Sequence, residues 1–197
     1  MIIFKEFELE NHHPLISSLN KMLDWLRLSD VPDSMGGDQN CCDLSEELLQ
    51  KRMDKKCLNK CWMSRFDDHQ DYDFSDVQNY SEQVYREQTG ITNDTISQVA
   101  KTWYPEGGGY LGWHTDAKGG RIYSTWADGD SFFRYRDPET KEIITSYDKP
   151  NQWTFRIFHV NEEDPMWHCV YAKDARISVG YNFHDESRLL KTLPHNC

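Results

Sequence analysis

No segment of the chain is apolar for long enough to span a bilayer. The N-terminal MIIFKEFELE is broken by Lys5 and Glu6 before a membrane helix or the apolar centre of a secretory leader can form. Positive charge is also scarce: 22 Lys and Arg stand against 33 Asp and Glu, giving a net charge of -11 and an isoelectric point near 5.1. Such a balance opposes tight, indiscriminate attachment to phosphate backbones or anionic membranes, so neither nucleic acid nor a membrane is an expected partner. Internal repeats and low-complexity tracts are missing as well. The six cysteines come without a secretion signal and are read as reduced thiols of a cytoplasmic protein, not as a disulfide frame.

What is present is the composition of a folded chain, with 38% hydrophobic and 28% charged residues. Its 197 residues suffice for one domain with a real core and are too few for two comfortable ones. Leu15, Ile16, Leu19, Met22, Leu23 and Leu26 recur at helical spacing behind Pro14, which suits a first helical turn. A second helix is predicted from Ser45 as N-cap, with Glu46 and Glu47 in its first turn and Leu49, Met53, Cys57 and Cys61 along one face. A third runs from Ser75 to a stop at Gly90, with Val77, Tyr80 and Val84 inward.

From about Thr95 the period changes to two. Strands are predicted at 95–104, 119–126, 131–136, 141–147, 152–160, 167–172 and 176–183, with a hairpin turn at Asp137-Pro138-Glu139-Thr140. In the last of these Ile177, Val179, Tyr181 and Phe183 face one way while Arg176, Ser178, Gly180 and Asn182 face the other. The helices need an apolar surface to cover, so the apolar face is placed beneath them and the polar face inside a barrel that holds a site. Gln98, Thr102 and Tyr104 share a face of an earlier strand, 95–104, in the same scheme. The expected class is α+β, helices first and sheet second.

The chemistry-bearing order is His114-Thr115-Asp116, then His168, then Arg176 and Ser178. On an extended segment His114 and Asp116 project to the same side, as two ligands of one ion must. Imidazole nitrogen with a hard carboxylate oxygen suits a divalent first-row metal better than calcium or a thiolate-bound zinc. A cation shortly after the second histidine can hold an organic acid, since a guanidinium fork matches a carboxylate bidentately.

Three stretches, Tyr104-Pro-Glu-Gly-Gly-Gly-Tyr-Leu-Gly-Trp-His114-Thr-Asp116, Asp164-Pro-Met-Trp-His168-Cys-Val and Arg176-Ile-Ser178-Val-Gly-Tyr-Asn-Phe, together resemble the prolyl-4-hydroxylase-like branch of iron(II)/2-oxoglutarate-dependent oxygenases. The resemblance covers roughly residues 98–184. It implies a double-stranded β-helix, or jelly roll, at 94–185; with the mainly helical support at 1–93 and a tail at 186–197, residues 1–197 are read as one oxygenase domain. It implies His114, Asp116 and His168 as Fe(II) ligands, with Arg176 pairing the distal carboxylate of 2-oxoglutarate and Ser178 and Tyr104 adding hydrogen bonds to it. The implied reaction consumes 2-oxoglutarate and O2, releases succinate and CO2, and hydroxylates a C–H bond of a small-molecule or peptidyl substrate, prolyl among them; ascorbate is the supporting reductant. A hydroxyl donor that the family places on the strand after the His-x-Asp pair falls within Arg121-Ile-Tyr123-Ser124-Thr125-Trp126, with the choice among them open.

Competing readings attach to several residues. His159 also precedes Arg176 and is the rival second histidine, but Pro165 and Val170 favour His168. Cys41, Cys42, Cys57 and Cys61 invite zinc, yet their spacings lack the usual paired knuckles. His12 and His13 read as solvated loop residues, and Asp67, Asp68, Asp71 and Asp73 as a solvated linker. Trp113, Trp126, Trp167 and Arg121 are candidates for the substrate pocket. The alternative functions are a nucleobase oxidase or demethylase with the same centre, which the acidic charge opposes, and a non-catalytic jelly-roll binding module.

Overall fold

A computed structural model describes residues 4–29, 36–66 and 71–185. Its first part runs β1 (Phe4–Phe7), α1 (Pro14–Leu28), β2 (Gly36–Gly37), a 3-10 turn at Gln39–Cys41, α2 (Glu46–Met53), β3 (Cys61–Arg65) and α3 (Ser75–Thr89). Strands follow: β4 (Asp94–Tyr104), β5 (Gly109–His114), β6 (Gly119–Ala127), β7 (Ser131–Arg136), β8 (Ile143–Tyr147), β9 (Trp153–Val160), β10 (His168–Ala172) and β11 (Arg176–Asp185). Among the described residues, no helix is long and apolar enough to cross a membrane.

The helix ends follow local chemistry. His13, expected as a solvated loop residue, caps α1: its Nδ1 accepts the Leu15 N–H at 3.1 Å. Ser45 caps α2 through the Leu48 N–H at 3.2 Å. That helix is shorter than predicted. Lys55 turns left-handed with φ 58°, and the Lys56 N–H closes onto the Lys51 carbonyl at 2.8 Å, so the chain leaves the helix before Cys57. Cys57 therefore lies beyond α2, and Cys61 opens β3. At the far end of α3, Gly90 adopts φ 71° and donates to the Arg86 carbonyl, the stop expected there.

The strands form one curled antiparallel sheet in the order β1-β9-β6-β11-β4-β3-β5-β10-β7-β8, with β2 beside β3. β3 is the hinge of the curl, pairing with β4 through Ser64 and Arg65 and with β5 through Cys61 and Trp62. The front of the chain is thus more than helical support, because β1 and β3 are members of the sheet. The two ends of the order return to each other through side chains, since Ser146 on β8 donates to Glu6 on β1, and the ring of Phe4 on β1 stacks on Tyr135 of the adjacent β7 at 4.4 Å.

Two apolar layers result. Ile177, Val179, Tyr181 and Phe183 of β11 pack with Ile122, Phe155 and Ile157 beneath Leu15, Leu19, Met22 and Leu26 of α1 and Val77, Val84 and Tyr85 of α3. Each fully buried aliphatic side chain there contributes about 1.5–3 kcal/mol. Inside the curl, Phe133, Phe158, Val160, Met166 and Val170 make a second cluster around Tyr104. A smaller cluster of Leu49, Trp113 and Cys169 lies where α2 meets the outer face of β5 and β10. The two faces predicted for the last strand are therefore the helix-covered face and the inside of the curl.

Candidate active site

His114 ends β5 and His168 begins β10, and the two are direct register partners. Two residues further along β10, Val170 is opposite Leu111, so β5 carries one extra residue between the pairs. This bulge turns His114 onto the inner face already occupied by Leu111 and leaves Trp113 outside. Asp116 follows in the loop after β5. Its Oδ1 is 3.9 Å from His114 Nε2 and its Oδ2 is 3.7 Å from His168 Nε2, and one ligand atom from each of the three residues lies within 4.8 Å of the others. Among the described residues this is the one group of such side chains close enough to share a metal ion.

Both imidazoles are oriented for that role. Nδ1 of His114 is 2.8 Å from the Gly112 carbonyl and Nδ1 of His168 is 3.1 Å from the Met166 carbonyl, so each Nδ1 donates and each Nε2 lone pair faces Asp116. Burial, reinforced by His114, pushes the His168 imidazole down to about 3, which keeps it neutral, as a ligand must be. Burial works against the Asp116 charge, but the positive surroundings that include the Arg121 guanidinium and its hydrogen bond hold the carboxyl below its ordinary value. Arg121, whose side chain is wholly buried, donates from Nε to Asp116 Oδ2 at 3.3 Å and to the Gly120 and Ala117 carbonyls. It braces the carboxylate from behind.

The triad opens on a cavity of about 210 Å³ lined by the apolar Met63, Leu111, Phe133 and Val170 and by the polar Thr102, Tyr104, Tyr123, Arg176 and Ser178. Arg176 is the register partner of Tyr104, and its guanidinium carbon lies 5.0 Å from the centre of that ring. Burial pushes the Tyr104 phenol up to about 12 and Tyr123 well above its ordinary value, so both remain neutral hydroxyls. On β6, Tyr123 and Thr125 face the interior: Tyr123 lines the cavity and Thr125 accepts a hydrogen bond from Arg176. The side-on edge of Arg176 is already engaged within the protein. Nε is bonded to Asp148 at 2.8 Å and Nη2 to Thr125 at 3.3 Å, while Nη1 is buried without a hydrogen-bond partner among the described residues.

Other expected residues fall elsewhere. Trp113 is buried on the outer face, its Nε1 donating to the Ser45 carbonyl at 3.1 Å. Trp167 packs in that same outer cluster under Arg52. Trp126 lies on the helix side of the sheet, edge-on to Trp153 and beneath Arg27. None of the three, nor Arg121, lines the cavity of the triad. His159 borders a separate hollow with Tyr85 and Ile91, away from Asp116. Among the described residues, Cys41, Cys42, Cys57 and Cys61 form no disulfide and do not group as ligands. Of the acidic run, Asp67 and Asp68 lie outside the described residues, and Asp73 accepts from the N–H and hydroxyl of Ser75. Sequence reasoning missed Asp148 and Arg156, although an arginine inside the apolar run Trp153-Thr-Phe-Arg156-Ile-Phe already signals a buried charge.

No family model and no curated protein matches the sequence. Solved structures do match in three dimensions. A prolyl hydroxylase from Trichoplax adhaerens, solved with a hypoxia inducible factor oxygen degradation domain peptide fragment, superposes with a TM-score of 0.53 at 12% identity, over 96% of this chain and 87% of that one. A Pseudomonas putida prolyl-4-hydroxylase superposes with a TM-score of 0.50 at 10% identity, over 93% and 94%. These likenesses assign the fold, a curled antiparallel jelly-roll core shared with prolyl hydroxylases.

Proposed function

We propose that the chain is an iron(II)- and 2-oxoglutarate-dependent dioxygenase that hydroxylates a C–H bond of a peptidyl or small-molecule substrate. The observation that carries this reading is a single cavity lined by His114, Asp116 and His168 together with Arg176, whose Nη1 is buried without a hydrogen-bond partner among the described residues. Two imidazoles and one carboxylate leave part of a metal's coordination sphere open, as such chemistry requires. A buried donor without an acceptor is costly, so an anionic ligand is the natural complement of Nη1. Iron(II) and 2-oxoglutarate, when bound with O2, supply oxidative decarboxylation to succinate and CO2 coupled to C–H hydroxylation.

The protein's part is orientation and shielding. His114, Asp116 and His168 would hold the ion, braced by Arg121 and by the Gly112 and Met166 carbonyls. Arg176, with hydroxyls among Ser178, Tyr104 and Tyr123, would hold the distal carboxylate. Leu111, Phe133 and Val170 keep the reacting end apolar. A peptidyl substrate is favoured because the Trichoplax adhaerens neighbour binds a peptide fragment. Residues 1–197 are proposed as one oxygenase domain of a cytoplasmic protein. The test is succinate formation: purified protein given Fe(II), ascorbate and 2-oxoglutarate is expected to produce succinate, slowly without a prime substrate. Absence of both turnover and 2-oxoglutarate binding overturns the reading.

A further inference from the structure

Arg176 enters the cavity with Nε and Nη2 already engaged, and the partner on Nε is Asp148, a carboxylate from the loop after β8 whose side chain has no exposed surface. Asp148 is shared. Its Oδ1 accepts Nη1 of Arg156 at 2.5 Å, and its Oδ2 accepts the Ser131 hydroxyl at 2.6 Å besides Arg176. The other two nitrogens of Arg156 donate to the Ser146 hydroxyl and carbonyl at 2.8 and 3.2 Å, and its Nε lies 3.5 Å from Glu6, a half-exposed carboxylate. Two buried guanidiniums thus divide one buried carboxylate. Arg156 has Glu6 as a second counter-charge, so the unbalanced positive charge and the open N–H both fall to Arg176.

An unrestrained arginine presents either of two forked edges to a carboxylate. Here Asp148 engages Nε and Thr125 one hydrogen of Nη2, and Nη1 is the nitrogen without a hydrogen-bond partner among the described residues. Nη1 of a partly neutralised cation is therefore the nitrogen left for a ligand to engage.

Resting on the reading of the chain as a 2-oxoglutarate enzyme, we propose that Asp148 is the positioning residue of the clamp. By fixing Nε it aims Nη1 at the ligand's distal carboxylate, and so makes the site select a 2-oxo dicarboxylate over a 2-oxo monocarboxylate. The second carboxylate oxygen then falls to the hydroxyls that line the same cavity.

The test is calorimetric titration of Mn(II)-loaded protein without oxygen, using 2-oxoglutarate and 2-oxopentanoate, which has a methyl group in place of the distal carboxylate. Wild-type protein is expected to prefer 2-oxoglutarate by about tenfold or more, the worth of a charge-assisted hydrogen bond. Asp148→Asn is expected to lose most of that preference while its affinities for Mn(II) and 2-oxopentanoate stay put. A merely structural role would move both acids together. Should Asp148→Asn not fold, as judged by circular dichroism, Asp148→Glu keeps the charge but shifts the carboxylate, and the same loss is expected. A folded variant that retains the wild-type preference overturns the proposal alone; a wild-type protein that binds neither acid overturns the functional reading with it.

Discussion

His168 is the register partner of His114 across β5 and β10, so main-chain pairing sets the separation of the two imidazoles, whose ring centres are 4.1 Å apart. Asp116, in contrast, sits in the loop after β5 and owes its place to Arg121. The centre is therefore half ladder and half brace, and its parts fail differently.

Removing the loop ligand is expected to abolish metal binding without unfolding the ladder. Asp116→Ala should lower metal affinity by more than about 100-fold, beyond the cost of losing a supporting residue. Metal titration checks it, with the melting temperature as control. Stoichiometric binding of iron(II) by the variant would show that the triad is not the metal centre.

Arg121 is too deep to meet substrate, and its removal is expected to act on the metal instead. Arg121→Met keeps the bulk and deletes the brace on Asp116, and metal affinity should fall by about 10- to 100-fold. An unchanged metal affinity, with loss of substrate binding, would return Arg121 to the substrate pocket.

Acid sensitivity follows from Asp148. Burial opposes its charge, but Arg176, Arg156 and the hydrogen bonds from Arg176 and Ser131 hold the carboxyl at about 2, against an ordinary 3.8. A depressed folded-state value means that the unfolded chain binds more protons. The stabilisation is thus complete above the ordinary value and lost as pH falls toward the folded one. It amounts to about 2 kcal/mol, lost between roughly pH 4 and pH 2. Urea unfolding followed across that window should show the loss in wild type and a flatter profile in a folded Asp148→Asn variant.

Gly180 leaves room for a cavity wall. A Cβ there would lie 2.3 Å from Cε1 of Tyr123, whose ring stacks on Phe158 at 5.5 Å. Gly180→Ala is expected to cost about 1–3 kcal/mol by overpacking and to weaken 2-oxoglutarate binding as the phenol is displaced. Thermal melting with ligand titration reads both, and full stability with unaltered binding would mean that the ring relocates freely.

Much of this arrangement was legible in the chain. The alternation through Arg176–Phe183 assigned both faces of β11, because a strand between helices and a polar interior must be two-sided. Periodicity placed seven strands to within a few residues. It does not reveal β1, β3 or β5: Cys61-Trp62-Met63-Ser64-Arg65 has no alternation, and Cys61 continues the helical spacing of Leu49, Met53 and Cys57, with nothing local announcing the left-handed Lys55 that ends α2. The pocket tryptophans were misplaced because aromatic residues serve core and cavity alike, and only the β5 bulge decides which side Trp113 takes. Asp148 was invisible for another reason: it is 28 residues from Arg176, and an acid after a strand looks like a turn.

The return of β8 to β1 has a consequence for solution behaviour. Among the described residues β1 pairs only with β9 and β8 only with β7, so their meeting is a seam of side chains and each keeps a row of main-chain groups without a strand partner. Glu6 with Ser146, and Glu8 with Lys149, station charge along it. Stripped of those charges, the seam would become a template on which a second molecule could add a strand, and self-assembly would begin there.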